Sequence, residues 1–395
     1  SSNLNQADVA MLADVVRARY DVTGKGIKIG IISDSFNALG GMDEDIALGV
    51  LPNMNGTDSR GNKYRVSQVG YGEDEGRAMA QLVHAIAPDA ELYFATPFEK
   101  IEEPDPNQEQ DTEEIFKFAD EWAAGMKTQI ETLVNVINVD IIVDDLYEPF
   151  QPWFQDGIVA QTVDWAVEGN KEEGRKSVAY FSAAGNNTNT SYQSTFRGTP
   201  YSEISSQLPT TAPGNKEQYL YHDFDSDGGI DILQTVHFFN GYASRPPLNI
   251  LLAQWDQPWG NNKSANEIWF FDDDEDRTFL GKTLNEPSQP VAAYPLLPEK
   301  LFDYDPVGKT FHVAFVHNMN GYGNGEGQEL PTFFKWITPF NGNQPPVRNF
   351  PQSSFIEYAE HGFSTVWGHN NSKLAANVGA AQYWSTPAYH LNTSE

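Results

Sequence analysis

The chain of 395 residues contains no cysteine. Disulfides, thiolate nucleophiles and thiolate metal sites are therefore excluded together. Basic residues are scarce: 25 Lys and Arg stand against 55 Asp and Glu, for a formal charge of −30. So acidic a surface repels nucleic acid and anionic lipid, and neither is expected as a partner. It suits a saline or calcium-containing medium, where carboxylates are screened or ligated. No apolar run approaches the ~20 residues that a bilayer-spanning helix needs. There is no His-Glu-x-x-His run, which disfavours a zinc peptidase. "GKGIKIG" lacks the Gly-Lys-Ser/Thr of a phosphate loop. The opening "SSNLNQADVA" has neither a Met nor a charged-then-apolar leader, and reads as a processed mature end or an artificial start.

What is present is ample aromatic content, 13% of residues, on a chain long enough for two cores. Residues 4–20 have the period of an amphipathic helix, with Val9, Leu12, Val15 and Val16 on one face. "GKGIKIGIISDSFN" turns on glycine into an isoleucine-rich run, Ile27 to Ile32, interrupted only by Lys28 and Gly30, as expected for a strand buried on both faces of a parallel sheet. Helical spacing follows from Gly76 (Met79, Leu82, Val83, Ile86), and then comes a strand in "PDAELYFAT". An acidic loop, "EEPDPNQEQDTEE" (102–114), leads into a helix over 113–136 interrupted at Gly125. "VDIIVDD" (Val139 to Asp145) is a third strand, 156–169 a helix and "SVAYFSAAGNN" a fourth strand. Strand–helix alternation of this kind predicts an α/β domain with a parallel sheet. Ligand chemistry in such sheets gathers beyond the carboxyl ends of the strands. Asp34, Asp144, Asp145, Gly185 and Asn186 all fall at such ends.

After about residue 190 the pattern changes. Short alternating or aromatic segments, such as "LNILLAQWD" and "TFHVAFVHN", are separated by Gly, Pro, Asn and Asp clusters, the pattern of an antiparallel β-sandwich. From Phe363 the α/β pattern returns, with a strand-like "LAANVGAA" whose small residues suit close packing. The predicted organisation is an α/β domain over 1–190, an inserted sandwich over 191–360, and a return to the α/β domain over 361–395.

The ordered segments resemble the subtilisin-like serine peptidase clan, the subtilases and sedolisins. "GKGIKIGIISDSFN" resembles the strand that delivers the triad aspartate, and "DEGRAMAQLVHAIAPDAELYFA" the helix that begins with the catalytic histidine. "VDIIVDDL" resembles the strand flanking the substrate, "AYFSAAGNN" the one ending in the oxyanion-hole asparagine, and "LAANVGAA" a later strand. The inserted part looks like a jelly-roll-type module of the pre-peptidase kind. Where subtilases carry histidine this chain has Glu75, and sedolisins also use a glutamate base. The resemblance implies a secreted endopeptidase with Glu75 as general base, Asp34 orienting it, Asn186 in the oxyanion hole and Asp145 beside the substrate. The sedolisin partner acid is absent, since Met79 stands one turn along. The "GTS-x-A-x-P" stretch bearing the nucleophile is absent too, and the serine is expected on a C-terminal segment or fragment beyond Glu395. Ser372 in "NNSKLAANVGAA" imitates that stretch only superficially. A protein or peptide is the implied substrate. The competing expectation is a catalytically inactive scaffold that binds or assembles outside the cell.

Each acid also has a plainer explanation. Glu75 could simply complement a helix N-terminus, Asp34 cap a loop, and Asp144 and Asp145 be solvated or bind metal. "DFDSDGGID" places Asp223, Asp225, Asp227 and Asp231 at positions one, three, five and nine of a calcium loop, with Gln234 where the bidentate glutamate belongs. Calcium and a metal-free acidic hairpin both remain open there, and "FDDDEDR" (271–277) has the look of a solvated turn.

Overall fold

The computed structural model describes residues 6–54, 72–98, 112–185, 191–238, 249–285, 287–296, 309–323, 326–337, 355–358 and 366–386. The chain divides into two compact units, one of residues 1–151, 156–184 and 368–395, the other of 152–155 and 185–367. The changeovers at 184/185 and 367/368 compare with the expected 190/191 and 360/361.

The first unit runs α1 (Gln6–Ala10), α2 (Ala13–Tyr20), β1 (Lys28–Ile32), α3 (Met42–Leu48), α4 (Glu75–Ile86), β2 (Glu91–Ala95), α5 (Thr112–Thr132), β3 (Ile141–Asp144), α6 (Ile158–Glu168) and β4 (Ala179–Ala183), and closes with the strand Ala376–Val378. The five strands form one parallel sheet in the order Ala376–Val378, β4, β3, β1, β2. Successive residues of β1 feed opposite cores, as a strand's period of two requires. Ile29 and Ile31 pack with Leu92, Phe94, Phe36 and Ala80, on the side of α4. Ile32 packs with Ile142, Trp122, Met126 and Val163, on the side of α5 and α6. Gly30 lies under Leu133, whose Cδ1 would stand 2.8 Å from any added Cβ.

Three expectations change here. The helix expected over 4–20 is broken at Met11–Leu12, where Leu12 turns left-handed (φ 55°). Its presumed buried face is exposed at Leu12, Val15 and Val16. Polar contacts pin it instead: the Arg17 guanidinium pairs with Asp8 at 2.7 and 2.8 Å and donates to the carbonyls of Ala85 and Ile86 at 3.1 and 2.8 Å. Second, α5 runs through Gly125, where an added Cβ would lie only 2.6 Å from the Pro97 carbonyl oxygen, and ends in a wider π turn, Leu133–Ile137. Third, "LAANVGAA" yields only the strand Ala376–Val378, exposed at all three positions rather than closely packed. Phe181 of the neighbouring β4 is also exposed. Parallel sheets are ordinarily covered on both faces, so this edge is unusually bare. The acidic stretch 99–111 lies outside the described residues.

The second unit is a β-sandwich. One antiparallel sheet orders the strands Leu284–Asn285, Val291–Leu296, Asn249–Trp255, Phe333–Ile337 and Ser191–Thr195. The other orders Phe279–Lys282, Asn266–Asp272, Lys309–Asn318, Tyr219–His222 and Gly198–Pro200, with Gln234–Phe238 also on Lys309–Asn318. Trp255, Phe334 and Trp336 from the first meet Val236, Phe270 and Phe315 from the second. Phe315 and Phe334 stack at 3.8 Å between centroids, 8° from parallel. The second sheet is buried on its other face as well, where Trp269, Phe271 and Val316 lie under Ile204 and Leu208.

Candidate active site

β1 and β3 run side by side with Ile32 opposite Asp144. The residues that follow, Ser33 and Asp145, therefore leave the carboxyl edge of the sheet as neighbours. The N-terminus of α4 comes down on the same edge, and Gly76 makes that approach possible. A Cβ there would lie 2.3 Å from the Phe94 ring, 2.8 Å from the Ser35 carbonyl and 3.0 Å from Ser33 Cβ. With only hydrogen at that position, the first turn of α4, which begins at Glu75, can seat against Ser33 and the end of β1.

The adjacent acids Asp74 and Glu75 have opposite fates. Asp74 is buried in a left-handed conformation (φ 58°). Its carboxylate accepts from the Ala38 and Leu39 amides at 2.7 and 3.1 Å, from Ser35 Oγ at 3.1 Å and from Arg77 at 3.1 Å. Its own N–H donates to Ser35 Oγ at 2.8 Å. Asp74 is thus a clamp that closes residues 35–39 onto α4. Asp34 is engaged in a similar way with backbone, accepting from the Glu73 and Glu75 amides at 2.6 and 3.1 Å and from the Ser35 amide. These bonds tie the main chain at the start of α4 to the residue that follows β1 and Ser33.

The Glu75 carboxyl, on a residue with an exposed face, is raised above its ordinary range, first by desolvation and then by the charge of Asp34, with Asp145 hydrogen bonding opposing and Glu73 adding. Asp145 is pushed up to about 8, first by burial, then by the charge of Glu75; the Ser33 hydroxyl opposes the rise and the charges of Asp144 and Asp34 add to it. Both Asp145 oxygens and Ser33 Oγ are buried without a well-formed hydrogen bond among the described residues, and Ser33 is fully inaccessible. The three acids expected at the site, Asp34, Glu75 and Asp145, are brought together at one rim of the sheet, and each of the last two perturbs the ionisation of the other.

Of the other candidates, those among the described residues lie elsewhere. Asn186 falls outside the described residues. Ser372 is buried and donates to Asp164 Oδ1 of α6 at 2.5 Å, so its hydroxyl is engaged in packing. Asp144 points to the opposite side of the strand from Asp145, accepting from Ser182 Oγ at 2.9 Å and lying 3.1 Å from His369 Nε2. Asn370 Nδ2 completes this buried knot, donating to Ser182 Oγ at 2.8 Å and to the Leu146 and Ala183 carbonyls. The sequence offered a signal for it only in the paired polar residues of "WGHNN". In the second unit, Asp223 Oδ1 accepts from the Asp225 and Asp231 amides, and Asp225 from those of Asp227 and Gly229. Asp231 accepts from the Leu233 amide and the Tyr358 hydroxyl. These carboxylates are turned to their own hairpin and to Tyr358. Among the described residues no three His, Asp or Glu side chains gather as a metal-ligand set.

No family model matches the chain, and no curated protein does. Among solved structures it is similar to the CspB protease of Clostridium perfringens, with 12% identity and a TM-score of 0.37 over 97% of this chain and 78% of that one. It is also similar to the MycP3 protease from the type VII (ESX-3) secretion system, with 14% identity and a TM-score of 0.31 over 54% of this chain and 52% of that one. No helix among the described residues is long and apolar enough to cross a membrane.

Proposed function

We propose that the protein is a secreted endopeptidase of the subtilisin-like clan in which Glu75 is the general base. The nucleophilic serine would be supplied by a segment beyond residue 395, and a peptide carbonyl would sit over the carboxyl ends of β1 and β3. The observation that carries this is the meeting of Glu75 with Asp34 and Asp145 at that rim, on an α4 that only Gly76 allows so close. A carboxylate with a raised pKa is a better proton acceptor for a hydroxyl than an ordinary surface glutamate. Asn186 is assigned the oxyanion-hole donor, a role worth roughly 3 kcal/mol in enzymes of this kind. The bare edge at Phe181 and Ala376–Val378 is where a serine-bearing segment would complete the sheet's cover.

A fluorophosphonate probe on the natural full-length protein tests this, read by mass spectrometry of the labelled peptide. Labelling of one serine, lost in Glu75→Gln, is the expected result. Absence of labelling under any pH from 4 to 8 would leave the inactive scaffold as the surviving reading.

A further inference from the structure

We propose that Glu75 and Asp145 share one proton, so that Asp145 is the positioning residue for the Glu75 carboxyl, a role for which the sequence pointed to Asp34. This rests on the proposed function for its catalytic meaning, although the pairing is a property of the folded chain alone.

Placement comes first. The β1–β3 register sets Ser33 beside Asp145, and the Gly76 contact seats the start of α4, where Glu75 is the first residue, against Ser33. Asp34 is next to them but has its carboxylate filled by three backbone amides. A carboxylate so occupied gains nothing from a shared proton, and it supplies charge rather than a bond to the Glu75 side chain. Asp145 is in the opposite condition. Its two oxygens are buried and have no well-formed hydrogen bond among the described residues. A buried carboxylate left in that state is costly, and the nearest remedy is a proton between it and the neighbouring carboxyl. Among the described residues, the fully buried Ser33 hydroxyl, itself without a formed bond, is the one other side chain that acts on Asp145 as a donor. Among the described residues, every charged group acting on the pair is an acid: Asp34 and Glu73 beside Glu75, and Asp34 and Asp144 beside Asp145. Negative surroundings of that kind hold the proton in place.

The chemistry follows from the count. With one proton the pair carries a single negative charge, and hydrogen bonding to Asp145 fixes the direction of the Glu75 carboxyl. Its free oxygen then takes the proton of the attacking hydroxyl, which leaves the pair doubly protonated and neutral. Returning that proton to the leaving amine restores the starting state.

The test is a pH titration of the full chain with carboxyl-carbon-labelled Asp and Glu, followed by NMR in wild type, Glu75→Gln, Asp145→Asn and Asp34→Asn. Asp145 is expected to titrate above pH ~6, and Glu75→Gln to bring it down by about one pH unit or more. Asp145→Asn should lower Glu75 correspondingly, while Asp34→Asn should lower both and leave them coupled. An Asp145 that titrates in the ordinary range near ~4 in wild type, or is indifferent to Glu75→Gln, overturns the proposal. The wild-type titration decides the first point even if a variant fails to fold. Since the titration does not depend on activity, a coupled pair in a protein that no fluorophosphonate labels would sink the peptidase while the pair stands.

Discussion

Gly76 decides more at the residue scale than either of the acids before it. A methyl there meets a ring carbon at 2.3 Å and a backbone carbonyl at 2.8 Å, and the carbonyl cannot swing aside as a flexible side chain would. Gly76→Ala should therefore lift the start of α4 and cost about 1–3 kcal/mol, the usual range for overpacking. Urea unfolding followed by the far-ultraviolet signal checks this, and an unchanged midpoint would mean that α4 tolerates the displacement. Asp145 gives a prediction with a definite sign. An acid whose folded pKa lies above its unfolded value binds more protons in the native state across the interval between them. Stability from Asp145 thus falls as pH rises from ~4 to about 8 and is level beyond that. Asp145→Asn carries no such charge, so it should flatten the decline and be the more stable protein at pH 8.5. Urea midpoints at three pH values would show it, and parallel slopes for the two proteins would count against it.

At the scale of elements, the sandwich core offers a clean test of what joins its sheets. Phe334 is fully buried and stacks on Phe315 of the facing sheet. Phe334→Ala removes that ring and leaves a cavity, at a cost of about 3–5 kcal/mol. The loss should appear in the near-ultraviolet aromatic signal of this aromatic-rich unit before it appears in the helical signal. Legibility also differs by element. β1 could be read from its isoleucine-rich run because both of its faces are buried. The inserted strands were legible from their short aromatic segments between turn residues, although Asn266–Asp272, buried on both faces, does not alternate. The N-terminal helix was misread because periodicity shows where an apolar stripe is and not what covers it. Here a guanidinium bridging Asp8 and two helix-end carbonyls does the anchoring, and no window of sequence contains both partners. The site was legible to the same degree. Asp34, Glu75 and Asp145 stood out as strand-end and helix-start acids, but which of them meets Glu75 depends on the β1–β3 register and on Gly76, and those are long-range facts.

At the scale of the whole molecule the two units should respond to pH in opposite senses, because each buries a titratable group of opposite type. In the α/β unit, Glu148 is buried and pushed up to about 7, so it joins Asp145 in making that unit more stable at mildly acid pH than at pH 8. In the inserted unit, Lys335 is buried on a strand and brought down to about 7 by desolvation. The Trp153 ring, 5.4 Å from its ammonium, favours the cation and offsets part of that fall. A lysine lowered in this way is unprotonated in the native state while the unfolded chain still holds its proton. Its contribution to stability therefore rises with pH from about 7 toward ~10.4. Buried His317, lowered to about 4, adds to the same slope below pH ~6.5, since unfolding then takes up a proton. Calorimetry between pH 5 and 9 should resolve two transitions whose midpoints approach or cross as pH changes. Glu148→Gln should flatten one and Lys335→Met the other, and the variants thereby assign each transition to its unit. If both midpoints move together, or if Lys335→Met lowers the transition it is meant to level, burial does not dominate these two groups and the opposed response fails.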